Sequence, residues 1–315
     1  MPATEASKTV PLRRHLLWTG GLSAAYLLVS YGLIGFRPEQ VVLVVLGNGL
    51  YYLSAATRRL VTGFSVFIGY WVLYDYMKAF PNYRYRPVSI AGLYELEKSL
   101  FGIPVNGVRL TPNEYWLTHA AAWLDALSGL FYLCWIPVPL AFAAFLWWRN
   151  GRQFACFALT FLLVNLLGFA VYYLFPAAPP WYVQAHGFGF NPLTAGSTAG
   201  LARFDQLLGT GVFASIYAKG SNVFAAMPSL HSAYPVVVLY FGLKNRLGWV
   251  NGLFAGVAAG IWFAAVYTSH HYVLDVLAGI GCAGTGIALF DWLRRRSRPV
   301  AALTESLARA TGGRG

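Results

Sequence analysis

The run FACFALTFLLVNLLGFAVYYLF, residues 154–175, contains no charged side chain. As a helix rising 1.5 Å per residue it matches a hydrocarbon layer of about 30 Å, so it reads as a membrane-crossing helix. Seven further stretches resemble it: about 15–35, 39–57, 61–79, 128–148, 229–244, 250–268 and 272–293. The 229–244 stretch is short and is expected to extend back through Phe224-Ala225-Ala226-Met227. Arg13 and Arg14 give the first stretch the look of a signal peptide, but its apolar run is long and no convincing cleavage site follows, so it counts as a span. The pattern predicts an all-α protein, a polytopic membrane helical bundle of about eight transmembrane helices.

Composition agrees. Of 315 residues, 57% are hydrophobic and only 11% charged, against about a quarter charged in a typical soluble domain. Mean hydropathy is +0.53. The net charge of +12 does not point to nucleic acid, because the basic residues punctuate the ends of apolar runs. Cys134, Cys156 and Cys282 lie inside those runs without ligand or disulfide spacing and read as small apolar core residues.

With eight spans, Arg13, Arg14, Arg58, Arg59, Arg149, Arg152, Lys244, Arg246 and the cluster Arg294, Arg295, Arg296 and Arg298 all fall on one side. The positive-inside rule makes that side the cytoplasm and puts both termini there. The opposite, outer face then carries 80–127, 176–228 and the tight turn at Ser269-His270. A helix is expected over about 88–101, its stripe of Ile90, Leu93, Leu96, Leu100 and Phe101 lying in the interface, with Glu95 and Lys98 off the stripe. Thr111-Pro112-Asn113-Glu114 is a capping box that opens another helix.

Three of the six histidines fall in two polar islands at span ends on that face. One is Met227-Pro228-Ser229-Leu230-His231-Ser232; the other is Tyr267-Thr268-Ser269-His270-His271-Tyr272-Val273-Leu274-Asp275. His271 and Asp275 are four apart at a helix start and share a face. The carboxylate can fix the imidazole tautomer and leave the other ring nitrogen as a nucleophile. The pair could also be a structural cap, or part of a metal site. His231, on a separate element, is placed to protonate a leaving alkoxide and then deprotonate an incoming alcohol. Lys78 and Arg86-Pro87, near Asp75 and Arg84, are expected to clamp a phosphate, although basic residues at span ends also snorkel toward headgroups. Arg203, Asp205, Lys219 and Asn222 are further outer-face polar groups that either contact a headgroup or are ordinary solvated side chains.

These islands resemble the type 2 phosphatidic acid phosphatase superfamily. Its three motifs are a Lys with a downstream Arg-Pro, a Pro-Ser-Gly-His, and a Ser-Arg followed by His-x-x-x-Asp. Lys78 with Arg86-Pro87 looks like the first, with spacing one residue longer than usual. Pro228-Ser229-Leu230-His231 looks like the second, with leucine in place of glycine, and His271 to Asp275 looks like the end of the third. The arginine expected six residues before His271 is absent, since that position is Ala265. MPSLHS together with HHYVLDV is similar to the inositol phosphorylceramide synthase branch.

The resemblance implies a six-helix catalytic core within a catalytic membrane domain at 61–293, preceded by N-terminal transmembrane helices at 1–60 and followed by a basic cytoplasmic tail at 294–315. It implies that His271 attacks phosphorus to form a phosphohistidine, oriented by Asp275, while His231 serves as acid and then base. Lys78, Arg86 and Ser229 would bind the phosphoryl group, with no metal and no cofactor. The partners would be a phospholipid donor, a lipid alcohol acceptor and the bilayer, with no nucleic acid. The expected activity is transfer of inositol phosphate from phosphatidylinositol to a ceramide-type acceptor. The alternatives are a phosphatase of lipid phosphates or polyprenyl diphosphates, and a non-catalytic lipid-binding or transport protein.

Overall fold

In the computed structural model, which describes residues 12–220 and 222–312, the run at 154–175 lies almost wholly within one helix, Gly151–Leu174. In chain order the helices are α1 (Leu12–Ile34), α2 (Pro38–Leu53), α3 (Ala55–Tyr76), α4 (Ala91–Phe101), α5 (Pro112–Thr118), α6 (Ala122–Leu133), α7 (Pro137–Arg149) and α8 (Gly151–Leu174). They continue with α9 (Pro180–His186), α10 (Ala202–Leu208), α11 (Val212–Ala218), α12 (Leu230–Lys244), α13 (Val250–Tyr267), α14 (Val273–Arg296) and α15 (Arg298–Ala310). The chain divides into two compact units, Met1–Thr62 and Gly63–Gly315. In the first unit, α1 and α2 are tied by His15 to the Tyr51 hydroxyl at 2.7 Å, by Thr19 to Tyr52 at 2.7 Å and by Asn48 to Ser23 at 2.9 Å.

In the second unit α8 is the hub. It buries residues on every side, including Phe154, Phe157, Val164 and Phe169, as a helix apolar all round must. It packs against α7, α12, α14 and α15, and the shared core adds Phe142, Leu146, Tyr234, Phe241, Ala283 and Phe290. Much of the remaining apolar surface is exposed, for example Trp71, Trp123, Leu130, Trp148 and Leu253. Such surface is stable where hydrocarbon covers it. Among the described residues, six segments are long and apolar enough to cross a bilayer: α1, α3 continued to Ala79, α6 with α7, α8, α13 and α14. The protein is therefore a multi-pass integral membrane protein of the all-α class.

Two of the eight expected spans are helical but short. Helix α2 has 16 residues and α12 has 15, which at 1.5 Å per residue reach about 24 Å or less. The expected extension of α12 through Phe224–Met227 does not form. Ser229 caps the helix, and Ala225 instead makes a bridge to Ala177, which in turn bridges to Ser89. These extended backbones knit the loop segments beside the site. Within 294–312 the chain forms a further helix. Helix α15 buries Thr304 and Ala308 against its neighbours, and Glu305 pairs with Arg152 at 2.9 Å.

Helix α4 spans Ala91–Phe101, within the expected range. Leu93, Tyr94 and Glu97 are buried, while Leu96 and Leu100 are exposed. A two-stranded hairpin follows, β1 (Ile103–Val105) with β2 (Val108–Leu110). Its turn is Asn106-Gly107, both at positive φ, the pair that a tight two-residue hairpin requires. Helix α5 begins as expected, with Thr111 accepting from Glu114 N and Glu114 accepting from Thr111 N at 2.7 Å.

Candidate active site

His231 sits in the first turn of α12, His271 in the turn between α13 and α14, and Asp275 in the first turn of α14. The fold brings all three together. His231 Nδ1 lies 3.1 Å from His271 Nε2, and His271 Nδ1 lies 3.5 Å from Asp275 Oδ2. The same Asp275 oxygen accepts from the Tyr272 amide at 2.8 Å, so the carboxylate caps its own helix while facing the imidazole. Trp135 stands edge-on to His231, with ring centroids 4.5 Å apart. Burial pushes the His271 imidazole down to about 4, so its ring is neutral at physiological pH.

Backbone geometry explains why these residues meet. Ser269 takes a positive φ of 59°, and the Ala265 carbonyl accepts from both His270 N (3.1 Å) and His271 N (3.0 Å). Asn113, fully buried on α5, donates to the carbonyls of Val266 (2.8 Å) and His271 (2.9 Å) and so clasps both ends of the turn. Ser229 N donates to the Asp275 carbonyl at 2.9 Å, joining the two islands through their backbones. Gly279 on α14 permits this approach, because a Cβ there would strike the Ser229 carbonyl. Leu230, which stands where the superfamily pattern has glycine, packs on Gly168 of α8.

A cavity of about 440 Å³ opens onto His231 and His271. Lys78 and Asn222 line it, with a wall of tyrosines that includes Tyr70, Tyr74, Tyr132 and Tyr217. Lys78 pairs with Asp75 at 2.6 Å. Arg86 is exposed and outside the lining. Ser229 is also outside the lining; its fully buried hydroxyl accepts from Ser232 N as the cap of α12. Arg203 pairs with Asp125 at 2.7 Å and covers the Tyr267 ring, and Asp205 accepts from Phe213 N and Ala214 N. Neither lines the cavity. Ala265 is fully buried in an apolar cluster with Tyr132, Leu201 and Phe204, where a guanidinium would have no solvation.

His270, in the second polar island but with no role assigned from the sequence, lines the cavity, and a further residue at the site escaped the sequence reading. Glu97 of α4 is fully buried, and its two oxygens accept from Val273 N (2.9 Å) and Leu274 N (3.1 Å), the otherwise unpaired first amides of α14. It thereby anchors the helix that carries Asp275. Burial pushes its carboxyl up to about 7, against the two amide hydrogen bonds, which pull it down. Its signal in the sequence is spacing: Ile90, Leu93 and Glu97 are three and four apart, so a carboxylate continues the apolar stripe and must meet donors inside.

The family model of the PAP2 superfamily matches residues 99–289, a span that contains His231, His271 and Asp275 but begins after Lys78 and Arg86. The chain is 45% identical over 287 residues to the phosphoinositol dihydroceramide synthase of Bacteroides thetaiotaomicron, covering 90% of this chain and 93% of that protein. It is 31% identical over 212 residues to the catalytic subunit of inositol phosphorylceramide synthase from Saccharomyces cerevisiae, covering 66% of this chain and 51% of the yeast protein. The inositol phosphorylceramide synthase of Candida albicans is 31% identical over 217 residues, covering 67% of this chain and 43% of that protein. The chain thus spans about half the length of these fungal relatives or somewhat less. No solved structure matches it. The chain belongs to the PAP2 superfamily, within its inositol phosphorylceramide synthase-like branch, and is a membrane lipid phosphotransferase.

Proposed function

We propose that the chain moves inositol phosphate from phosphatidylinositol to a ceramide-type acceptor through an intermediate on His271. The observation that carries this reading is the pairing of His231 Nδ1 with His271 Nε2 at 3.1 Å over a cavity that Lys78 and Asn222 also line. With its Nδ1–H turned to Asp275, His271 holds a lone pair on Nε2, and His231 holds a proton on Nδ1. These are the two atoms the reaction needs, and a bound phosphodiester parts them. His271 Nε2 bonds to phosphorus as the bond from phosphorus to the diacylglycerol oxygen breaks. His231, doubly protonated at this point, gives its Nδ1 proton to that oxygen and becomes neutral, and Asp275 stabilises the positive charge on the His271 ring. In the second half the acceptor hydroxyl gives its proton to His231, its oxygen bonds to phosphorus, and the bond to Nε2 breaks.

Charge supports transfer from a diester. A phosphodiester carries one negative charge, whereas a phosphomonoester carries close to two at neutral pH. The cavity offers Lys78, already paired with Asp75, and the superfamily arginine position is the buried Ala265. The basic residues at 13–14, 58–59, 149–152, 244–246 and 294–298 support cytoplasmic termini and an active site on the outer, periplasmic or lumenal face. The test is detergent-purified protein given phosphatidylinositol with and without ceramide, products being read by mass. Inositol phosphorylceramide that forms only with ceramide is the expected result. Inositol phosphate released at the same rate without ceramide would make the protein a hydrolase.

A further inference from the structure

His270 is a third histidine in the cavity, and no step above uses it. Its Nε2 lies 3.0 Å from the Thr198 carbonyl. A carbonyl only accepts, so Nε2 carries the hydrogen and the tautomer is set. Burial, reinforced by His271 and His231, holds this imidazole well below its ordinary value, so Nδ1 keeps a lone pair. The ring is stacked between Tyr132 and Tyr217, with centroids 5.4 and 4.6 Å away, and is only 5% exposed. Nδ1 has no protein hydrogen bond among the described residues, and the residue lines the cavity. On the same lining, Asn222 accepts from Phe224 N through Oδ1, which leaves its Nδ2 buried without a partner. An unpaired acceptor and an unpaired donor lining one cavity match a ligand rich in hydroxyls, since each hydroxyl both donates and accepts.

We propose that His270 Nδ1 accepts a hydrogen bond from a hydroxyl of the donor's polyol headgroup and fixes that headgroup in the cavity. The inference rests on the donor assignment made above. The lining of this cavity includes the loop residues Thr194, Ser197 and Asn222, outside the apolar spans. The diacylglycerol chains stay in hydrocarbon, so the headgroup must point toward these loops. His270 is thus a binding residue for the donor and makes no contact with the acceptor.

The test compares three variants in full-length protein, with KM and kcat measured separately for phosphatidylinositol and ceramide. His270→Phe keeps the ring between the tyrosines and removes the acceptor. His270→Asn places an amide oxygen near the Nδ1 position. His270→Gln keeps only a donor toward Thr198. The expected result is a KM for phosphatidylinositol raised about tenfold in the Phe and Gln variants, as for a lost hydrogen bond to a substrate hydroxyl, with kcat changed by less than about threefold. The KM for ceramide stays constant, and the Asn variant returns to within about threefold of the parent. An unchanged KM for phosphatidylinositol in the Phe variant, or a raised KM for ceramide instead, overturns the inference while leaving the transferase reading intact. A parent protein that makes no product from phosphatidylinositol overturns the donor assignment, and this inference falls with it.

Discussion

Ser229 donates its amide to the main-chain carbonyl of Asp275 at 2.9 Å, so the segment that carries His231 and the helix that carries Asp275 are joined backbone to backbone. The 3.1 Å contact between His231 and His271 depends on this seam. Gly279 lies directly beneath it, and a methyl group at that position would strike the Ser229 carbonyl. Gly279→Ala should therefore force the two elements apart at a cost of about 1–3 kcal/mol and reduce transfer at least tenfold. Gly281→Ala, two residues on with nothing near its Cβ, should leave the rate unchanged. Transfer rate and Tm measured together on both variants check this; equal rates would show that the seam does not govern the geometry.

Glu97 holds the first amides of α14. Glu97→Ala leaves two buried N–H groups unpaired, at roughly 1–3 kcal/mol each, and should lower both Tm and kcat. Glu97→Gln keeps one acceptor and should fall between. The folded carboxyl binds its proton more tightly than the unfolded one, at about 7 against an ordinary 4.5. Its contribution to stability therefore declines as pH rises from about 4.5 through 7, and Gln should remove that slope. Thermal melts of parent and Gln variant between pH 5 and 8 read the difference.

The pH profile of transfer follows from His271. On the proposed mechanism its reactive form is the neutral ring, and burial pushes the group down to about 4. At pH 5 about nine-tenths of the nucleophile is still neutral, whereas a histidine with an ordinary value near 6.5 would be only about 3% neutral. The acid limb of kcat/KM should therefore fall near pH 4. A limb centred near 6.5 would show that His271 is not held in its buried, neutral state during turnover.

Lys78, Arg86 and Ser229 were expected together as phosphate ligands, and their placements separate them. Lys78→Met should raise the KM for the donor about tenfold, because Lys78 lines the cavity. Arg86→Ala, at an exposed site, should change it less than about threefold. Ser229→Ala removes the cap of α12 and should cost about 1 kcal/mol of stability with little change in KM. Kinetics and melts on the three variants test the division; a KM effect at Ser229 alone would reverse it.

The legible part of this molecule was the part written in local pattern. Apolar runs became helices at the expected places, Thr111 to Glu114 formed its capping box, and the i, i+4 spacing put Asp275 beside His271. What stayed hidden depends on contacts distant in sequence. That Glu97 meets Val273, that Asn113 clasps the 266–271 turn and that Leu230 rests on Gly168 are facts of packing, which spacing along one element does not carry. Ser229 shows the same limit. A serine before a histidine is chemically able to touch phosphate, and only the fold reveals that its hydroxyl is already engaged by Ser232 N. The extent of α12 was misjudged because apolar composition alone does not show that Ala225 pairs with the extended backbone at Ala177.

The central claim is that the headgroup phosphate passes through His271 on its way to the acceptor. The direct measurement is a pulse with headgroup-labelled phosphatidylinositol without acceptor, acid-free digestion and mass analysis of the peptide containing His271, followed by a chase with ceramide. The expected result is an inositol phosphate adduct on His271 that is lost on the chase as inositol phosphorylceramide appears, and no adduct or product from His271→Ala. Product formed by His271→Ala at the parent rate, or an adduct on a different residue that chases into product, would contradict it.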